Sequence, residues 1–151
     1  MRVQLQPAYV LHARAYRDTS LILDVLTPEY GRLSLVARGA RRQRRGRPGG
    51  AELRPLVPLL ISFSGRAEMK TLTGSELAGP APQARGDRLF SALYLNELLT
   101  RLLHRHDPHT RLFAAYAETL GDIAAAEDVE TVLRRFELTL LDDLGYGIAL
   151  D

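Results

Sequence analysis

Residues 21–37 read LILDVLTPEYGRLSLVA, and this stretch decides the fold. Apolar residues occupy every second position on both sides of the central TPEYG segment, a period typical of half-buried β-strands. Pro28 and Gly31 mark that segment as a turn, because glycine readily takes the positive φ that tight turns require. The stretch therefore predicts a β-hairpin. Its apolar faces are predicted to carry Leu21, Leu23 and Val25 on one strand and Leu33, Leu35 and Ala37 on the other.

Three more stretches alternate in the same way, at residues 9–14, 56–64 and 66–73. Pro55 and Pro58 push the start of the second stretch toward a sheet edge or a bulge. The predicted inward residues are Tyr9, Leu11 and Ala13 in the first stretch and Leu59, Ile61 and Phe63 in the second. Five short strands without an intervening helical pattern predict a small closed barrel, and the five-stranded OB-fold is the commonest such architecture.

After residue 77 the pattern changes from strand to helix. Residues 77–86 are rich in proline and glycine and predict a linker. Beyond them, apolar residues recur at helical spacing in three segments, with Asp87 and Asp128 as predicted N-caps and Gly145 as a stop. The first helix is expected to end at residues 106–108. The predicted buried positions are Leu89, Ala92, Leu93, Leu99, Leu102 and Leu103, then Leu112, Phe113, Tyr116, Leu120 and Ile123, then Val129, Val132, Leu133, Phe136, Leu140 and Leu144.

The predicted class is therefore α+β, with a barrel domain at 1–76, a linker at 77–86 and an all-helical domain of at least three helices at 87–151. Three helices with this many leucines make a thin bundle, so we expect the helical domain to be incomplete. The chain contains no cysteine, which excludes disulfides, thiolate zinc sites and cysteine nucleophiles. It shows neither a signal peptide nor a run of 18 apolar residues, so we expect a soluble protein of a reducing cytosol without membrane association.

Charge divides the chain into two unlike halves. Residues 1–76 carry 13 basic and 6 acidic residues, whereas residues 77–151 carry 7 basic and 12 acidic ones. The basic excess concentrates in residues 38–50, where six arginines fall within ten positions without an acidic residue. Guanidinium groups match phosphate oxygens, and glycines let the backbone follow a strand. This segment, called here the arginine loop, predicts a phosphate-binding hairpin tip; the alternative is a solvated flexible loop.

Other basic and aromatic residues could extend that surface. Arg14, Arg32, Arg66 and Lys70 lie on strand faces opposite the apolar ones, where each could equally be an ordinary solvated charge. Aromatic rings on OB-fold barrels can stack bases. Tyr9 and Phe63 are interpreted as core residues from their position on inward faces, and the roles of Tyr16 and Tyr30 stay open.

Catalytic and metal-binding templates do not fit the sequence. No phosphate-loop motif surrounds Lys70, and Ser62 and Ser64 do not form a nucleophile elbow. Histidine and aspartate residues cluster at 104–109 but lack the spacing of a zinc-binding helix and adjoin Pro108, so a polar turn between helices explains them better. The sequence predicts a non-enzymatic protein without cofactor or metal.

Several strings, spread over nearly the whole chain, resemble the bacterial RecO family of DNA repair and recombination mediators. The most specific are GRLSLVARGAR at 31–41 and YLNELL at 94–99. The others are YVLH at 9–12, TSLILDV at 19–25, PLL at 58–60, KTL at 70–72 and LRRFEL at 133–138. Members of that family are longer, so the resemblance implies a C-terminally shortened form.

The resemblance implies an OB-fold followed by a helical domain, acting in the cytoplasm at the bacterial nucleoid. It implies binding of single- and double-stranded DNA, annealing of complementary strands and cooperation with RecR in loading the recombinase RecA. The family's basic hairpin loop corresponds to Arg38, Arg41, Arg42, Arg44, Arg45 and Arg47. Its docking site for the tail of single-stranded-DNA-binding protein would include Arg134 or Arg135, with Leu112, Phe113 and Tyr116 as an apolar wall; ordinary solvated charge is the alternative for the two arginines.

Two other functions remain open from the residues alone. One is a non-catalytic adaptor whose arginine loop meets an acidic protein surface, and the other is an RNA-binding OB-fold protein. Saturable, salt-sensitive binding of oligonucleotides separates the first from a DNA-handling role, and competition between matched DNA and RNA strands separates the second.

Overall fold

The hairpin predicted from residues 21–37 is present and forms two adjacent strands of a closed barrel. A computed structural model describes residues 1–44, 47–48 and 50–145. Thr27 pairs with Gly31 at the end of the hairpin, and Gly31 has a φ of 66° as the turn requires. The strands are β1 Arg2–Tyr16, β2 Ser20–Thr27, β3 Gly31–Ala37, β4 Gln43–Arg44, β5 Arg47–Pro48, β6 Leu59–Ser64 and β7 Met69–Leu77. The helices are α1 Asp87–Leu102, α2 Thr110–Ala125 and α3 Val129–Asp143.

Five of the strands close into the predicted barrel, in the order β1-β2-β3-β7-β6, with β6 pairing back to β1. All neighbours are antiparallel except β3 and β7, which run parallel. Leu59, Ile61 and Phe63 are buried in the barrel interior as predicted, together with Leu23 and Leu35. The prediction of an OB-fold barrel followed by helices is therefore confirmed.

The face assignment in β1 is partly wrong. Tyr9 and Leu11 are buried, but they belong to a core shared with the helices, whereas Ala8 and Val10 line the barrel interior. The pairing of β1 with β2 shifts register between Val10 and His12. Such a bulge changes which alternate residues point inward, so the period-two pattern of 9–14 misassigned Tyr9 and Leu11.

Strand starts also differ from the sequence prediction. β1 begins at Arg2, because a register shift between Val3 and Gln6 and a positive φ at Leu5 break the alternation that would have revealed it. β6 begins at Leu59, immediately after Pro58, and Leu56 also has a positive φ of 75°. Proline lacks an N–H group for the strand ladder, which accounts for the later start.

In α1 the predicted apolar stripe is right at Ala92, Leu99 and Leu103, which are buried, and wrong at its three other positions. Ala92, Leu95, Asn96 and Leu99 are buried, whereas Leu89, Leu93 and Leu102 are exposed. The helix also begins differently, since Gly86 is its N-cap and Asp87 lies in its first turn. A leucine-rich helix offers two overlapping stripes, and only the packing against α2 and the barrel selects between them. The first helix ends at Leu102, four residues earlier than expected.

The caps and core positions of α2 and α3 agree well with the sequence. The Asp128 side chain accepts a hydrogen bond from the Thr131 backbone N–H at 3.3 Å, so the predicted N-cap is confirmed. Gly145 follows α3 with a φ of 83°. The buried residues are Leu112, Tyr116, Thr119, Leu120 and Ile123 in α2 and Val132, Leu133, Phe136 and Leu140 in α3.

Barrel and helices share one apolar core and a buried polar contact. Tyr9, Leu26 and Leu56 pack among the helix residues of that core. Asn96 on α1 donates from its side-chain nitrogen to the Leu11 carbonyl at 3.4 Å and accepts a hydrogen bond from the Tyr116 hydroxyl on α2. A buried amide with both ends partnered fixes the position of α1 against β1.

Candidate nucleic-acid interface

The arginine loop forms a small hairpin of its own between β3 and β6. β4 pairs with β5 antiparallel, with Gln43 opposite Pro48 and Arg44 opposite Arg47. Arg45, Gly46 and Gly49 lie outside the described residues, and so do the side chains of Arg44 and Arg47. The strand pairing therefore agrees with the predicted hairpin. Among the six arginines of the loop, the side chains of Arg38, Arg41 and Arg42 are described.

Arg38 and Arg42 line a cavity of about 310 Å³ beside the β1–β2 turn, called here the basic cavity. Both arginines are exposed, and exposed Arg17 of the turn adds a third guanidinium. The full lining is Tyr16, Arg17, Thr19, Ser20, Val36, Arg38, Gly39, Arg42 and Met69. Three guanidinium groups around one cavity, with no carboxylate in its lining, give it the chemistry of an anion site.

Arg41 takes a different role from its neighbours. Its guanidinium donates hydrogen bonds to the backbone carbonyls of Arg17 at 2.6 Å, Asp18 at 2.8 Å and Ser20 at 3.0 Å. Its own N–H donates to the Thr19 carbonyl at 2.8 Å. These bonds tie the arginine loop to the β1–β2 turn. These bonds use Nε and Nη2 of the guanidinium and give Arg41 a positioning role, while the predicted phosphate contact of this exposed side chain stays a prediction.

Arg32 lies at the junction between barrel and helices and away from the basic cavity. Its Nη1 pairs with Asp24 Oδ2 at 2.7 Å, and its Nε donates to the Leu103 carbonyl at 3.0 Å. The Arg32 and Asp24 side chains are only 13% and 17% exposed. The prediction that Arg32 extends a basic track is therefore wrong. A solvent-facing position in the barrel becomes buried once a helical segment covers it.

The ion pair with Arg32 satisfies only one of the two carboxylate oxygens of Asp24. Its Oδ1 is buried without a hydrogen-bond partner among the described residues. Burial raises the pKa of the Asp24 carboxyl above its ordinary value of 3.8, although Arg32, Arg105 and His12 each act to lower it. Desolvation of the charged carboxylate thus outweighs the attraction of the neighbouring cations.

The remaining predicted basic residues lie on strand surfaces and turns. Arg14 is exposed and lies two residues before Tyr16 on β1. Arg66 is exposed in the turn between β6 and β7. Lys70 is half-buried, and its Nζ donates to the Ala67 carbonyl at 2.5 Å. Lys70 therefore stabilises its own turn, while Arg14 and Arg66 are free to face solvent.

Of the four aromatic residues considered from the sequence, Tyr16 lines the basic cavity. Tyr9 packs against Tyr116 in the shared core, with ring centroids 5.1 Å apart. Tyr30 packs edge-on against Phe63, with centroids 5.7 Å apart. The interpretation of Tyr9 and Phe63 as core residues is confirmed, and Tyr30 joins them.

The histidine cluster at 104–109 forms the connection between α1 and α2. His104, His106 and Asp107 are exposed, whereas His109 is half-buried and its Nδ1 is hydrogen-bonded to the Asp143 carboxylate at the end of α3. No group of three or more histidine, aspartate or glutamate residues in the described ranges could hold a metal ion. Within this cluster, the His109 side chain ties the start of α2 to the end of α3.

The apolar wall predicted for a docked peptide tail is wrong in two of its three residues. Leu112 and Tyr116 are completely buried, and Phe113 is half-buried with its ring 5.6 Å from that of Tyr9. Leu112 and Tyr116 belong to the core that the barrel and the helices share, and Phe113 packs against it. Arg134 forms ion pairs with Glu130 and Glu137, and Arg135 is exposed.

An alternative apolar surface lies between α1 and α3. A groove of about 380 Å³ is lined by Phe90, Ser91, Tyr94, Leu133 and Arg134, and is called here the α1–α3 groove. The Phe90 side chain is 71% exposed, which is unusual for so large an apolar residue. The sequence prediction missed Phe90 and Tyr94, although two aromatics four residues apart on one helix, outside the chosen stripe, were a usable signal.

None of the helices in the described part of the chain combines the length and apolar character needed to cross a bilayer. The fold and site together define a class: an OB-fold barrel with a basic, arginine-lined surface, continued by an all-helical domain.

Comparison with known proteins identifies the family within that class. The sequence model described as Recombination protein O N terminal matches residues 1–81, and the one described as Recombination protein O C terminal matches residues 83–151. The chain therefore belongs to the recombination protein O (RecO) family.

Curated relatives support this membership over nearly the whole chain. The DNA repair protein RecO of Nitrosococcus oceani is 53% identical over 150 residues, covering 99% of this chain and 60% of the relative. The proteins of the same name from Methylococcus capsulatus and Cellvibrio japonicus are both 50% identical, with 61% and 62% of their lengths covered. The chain thus spans about three fifths of the length of these relatives.

Proposed function

We propose that this chain acts in DNA repair and recombination as a non-catalytic mediator that binds DNA and anneals complementary strands. The observation that carries the proposal is the basic cavity, where Arg17, Arg38 and Arg42 converge beside the arginine loop. The names of the relatives, DNA repair protein RecO, support the same role.

The proposed mechanism is electrostatic. Two complementary strands repel each other through their phosphates, and arginines that neutralise phosphates on both strands lower this repulsion. Base pairing then selects the partner strand, because phosphate contacts carry no sequence information. Neither step requires a bond to be made or broken, so the account needs no general base, nucleophile or cofactor. Both single- and double-stranded DNA would bind, since both present phosphates.

Partner proteins would act on the helical domain and on the DNA-bound complex. We infer cooperation with RecR in loading the recombinase RecA onto strands coated by single-stranded-DNA-binding protein, in the bacterial cytoplasm. This inference rests on membership of the family.

We further propose that the tail of single-stranded-DNA-binding protein docks in the α1–α3 groove. That tail is acidic and ends in apolar residues, and the groove offers exposed Phe90 and Tyr94 beside Arg134. Arg135, the next residue of α3, is exposed. Arg134 already pairs with Glu130 and Glu137, so an acidic peptide would compete with these carboxylates. Exposed Arg135 is available without such competition.

Direct binding and annealing measurements test the main proposal. Wild-type protein is titrated into a labelled single strand at several salt concentrations, and annealing of two complementary strands is followed by energy transfer between dyes. If about four to six phosphates are contacted, the logarithm of the affinity should fall with the logarithm of salt concentration at a slope of roughly −3 to −4. Binding only to an acidic protein surface, with no saturable binding of DNA, would favour the adaptor alternative. A matched RNA strand that competes better than DNA would favour the RNA-binding alternative.

The docking proposal has its own test. A labelled acidic peptide with an apolar C-terminus is titrated against wild-type protein and the variants Phe90→Ala and Arg135→Gln. Both variants should weaken binding, and Leu141→Ala, an exposed leucine of α3 outside the groove lining, serves as the control. Equal affinity of all four proteins would place the tail elsewhere.

A further inference from the structure

We propose that Tyr16 is a stacking platform for an unpaired base of single-stranded DNA, and that the arginines around the basic cavity hold the phosphates flanking that base. This inference rests on the proposed function and deepens it, because it assigns a residue that distinguishes single strands from duplexes.

The lining of the basic cavity combines the two chemistries that one nucleotide presents. Tyr16, Val36 and Met69 give it an apolar component, while Arg17, Arg38 and Arg42 supply positive charge. A nucleobase has apolar faces, and its phosphates are anionic, so an aromatic ring beside guanidinium groups suits both parts. The volume of about 310 Å³ lies at the lower end of the range for small-ligand sites, about 300–1,000 Å³.

The Tyr16 ring is accessible and held in place. Its side chain is half-buried at the end of β1, and its residue pairs with Ser20 at the start of β2. The Arg17 guanidinium carbon lies 4.9 Å from the centroid of the Tyr16 ring, within the range of a cation–π contact. The Arg17 guanidinium therefore lies over one face of the Tyr16 ring, so a base would stack on the opposite face with this cation as its neighbour.

The turn that carries this pair is pre-organised. Arg17 has a φ of 54°, a left-handed conformation that is uncommon for residues other than glycine. The Arg41 guanidinium donates to the carbonyls on both sides of this turn, at Arg17 and at Ser20. A strained residue persists where the surrounding structure over-determines it, and such positions cluster at ligand sites.

Stacking of this kind discriminates between nucleic acid forms. In a duplex each base is already stacked and paired, so its faces are unavailable to a protein ring unless the duplex is opened. In a single strand the bases are accessible, and stacking on an aromatic ring tolerates any base. The phosphate contacts would bind both forms, and Tyr16 would add affinity for single strands alone.

The test compares strands of equal charge with and without bases. The probes are a short oligothymidylate, an abasic deoxyribose–phosphate strand of the same length and a short duplex. Wild-type protein should bind the oligothymidylate more tightly than the abasic strand. Tyr16→Ala should lower affinity for the oligothymidylate by at least about fivefold while leaving the abasic strand and the duplex nearly unchanged. Tyr16→Phe keeps the ring and should behave as the wild type.

The control is Leu138→Ala, which removes an exposed apolar side chain on α3, in neither the basic cavity nor the α1–α3 groove. It should leave all three affinities unchanged. A Tyr16→Ala protein that loses affinity for the abasic strand and the oligothymidylate equally would overturn the stacking role. Failure of wild-type protein to bind either strand would overturn the proposed DNA-binding function instead, so the two failures are distinguishable.

Photo-crosslinking gives a second reading that does not depend on how the alanine variant folds. A single strand carrying 5-iododeoxyuridine is irradiated in complex with wild-type protein, and the linked residue is identified by mass spectrometry. Stacking predicts a crosslink at Tyr16. Crosslinks confined to other residues would contradict the proposal.

Discussion

The Arg41 guanidinium donates a 2.6 Å hydrogen bond to the backbone carbonyl of Arg17, which joins the arginine loop to the turn between β1 and β2. A residue from the most basic segment of the chain is therefore used to shape a backbone turn. Its neighbours Arg38 and Arg42 are left exposed at the cavity that this turn helps to form. The sequence does not distinguish these three arginines. In the structure Arg41 positions the turn, whereas Arg38 and Arg42 present positive charge at the cavity.

This division predicts different outcomes for two adjacent substitutions. Arg41→Ala removes three hydrogen bonds from a cation to backbone carbonyls and should lower the free energy of unfolding by about 1–2 kcal/mol. Arg42→Ala removes an exposed side chain and should change it by no more than about 0.5 kcal/mol. Chemical unfolding followed by circular dichroism measures both. Equal stability of the two variants would remove the positioning role of Arg41.

Gly31 lies against Asp107, in the connection between α1 and α2. Adding one methyl group at Gly31 should therefore destabilise the fold. A Cβ added at Gly31 would lie 2.1 Å from the Asp107 carbonyl oxygen, and the φ of 66° disfavours any side chain. Gly31→Ala should therefore lower the free energy of unfolding by at least about 2 kcal/mol.

Gly121 provides the matched control for that substitution. It lies within α2, and a Cβ there would meet no atom within 4 Å. Gly121→Ala should raise the free energy of unfolding by about 0.5–1 kcal/mol, because alanine favours the helix over glycine. A Gly31→Ala protein as stable as the wild type would mean that the β2–β3 turn and the helix connection do not meet as described.

The buried carboxyl of Asp24 predicts a pH dependence of stability opposite to that of an ordinary salt-bridged acid. The folded chain raises the pKa of Asp24 above its ordinary value of 3.8, so the unfolded chain releases this proton at lower pH. Stability contributed by Asp24 is therefore fully present below pH 3.8 and is lost as the pH rises through the raised pKa.

Urea unfolding of wild type and Asp24→Asn at a series of pH values tests this sign. The difference in unfolding free energy, wild type minus variant, should fall as the pH rises from below 3.8 toward neutrality. A difference that rises with pH would show that the attraction of Arg32 dominates over desolvation.

Much of the barrel was predictable because its signals are local. The 21–37 hairpin, the inward residues Leu59 and Phe63 and the Asp128 cap all follow from residue type and spacing within a few positions. The predictions of the fold fail where tertiary packing determines which residues are buried. The bulge at Leu11 reverses the faces of β1, and α1 buries Leu95 in place of Leu93, because α2 and the barrel select between two apolar stripes.

The site was less predictable, because its geometry depends on partners distant in sequence. Arg41 donates to the backbone carbonyl of Arg17, and Arg32 donates to that of Leu103. Every residue has a backbone carbonyl, so the sequence does not indicate which one will accept such a bond. Tyr16 could be noted as an open aromatic, but its place beside Arg38 and Met69 follows only from closing the barrel. The concentration of arginine in 38–47, by contrast, was visible from composition alone.

The most direct measurement is the salt dependence of single-strand affinity for two charge-matched double variants. Arg38→Gln with Arg42→Gln removes two guanidinium groups from the basic cavity, and Arg111→Gln with Arg135→Gln removes two exposed ones from the helical domain. The first pair should make the slope of log affinity against log salt shallower by about 1.4, which is about 0.7 for each lost phosphate contact. The second pair should leave the slope unchanged. Equal changes in both slopes, or an unaltered slope for the cavity pair, would contradict the assignment of the DNA surface to the barrel.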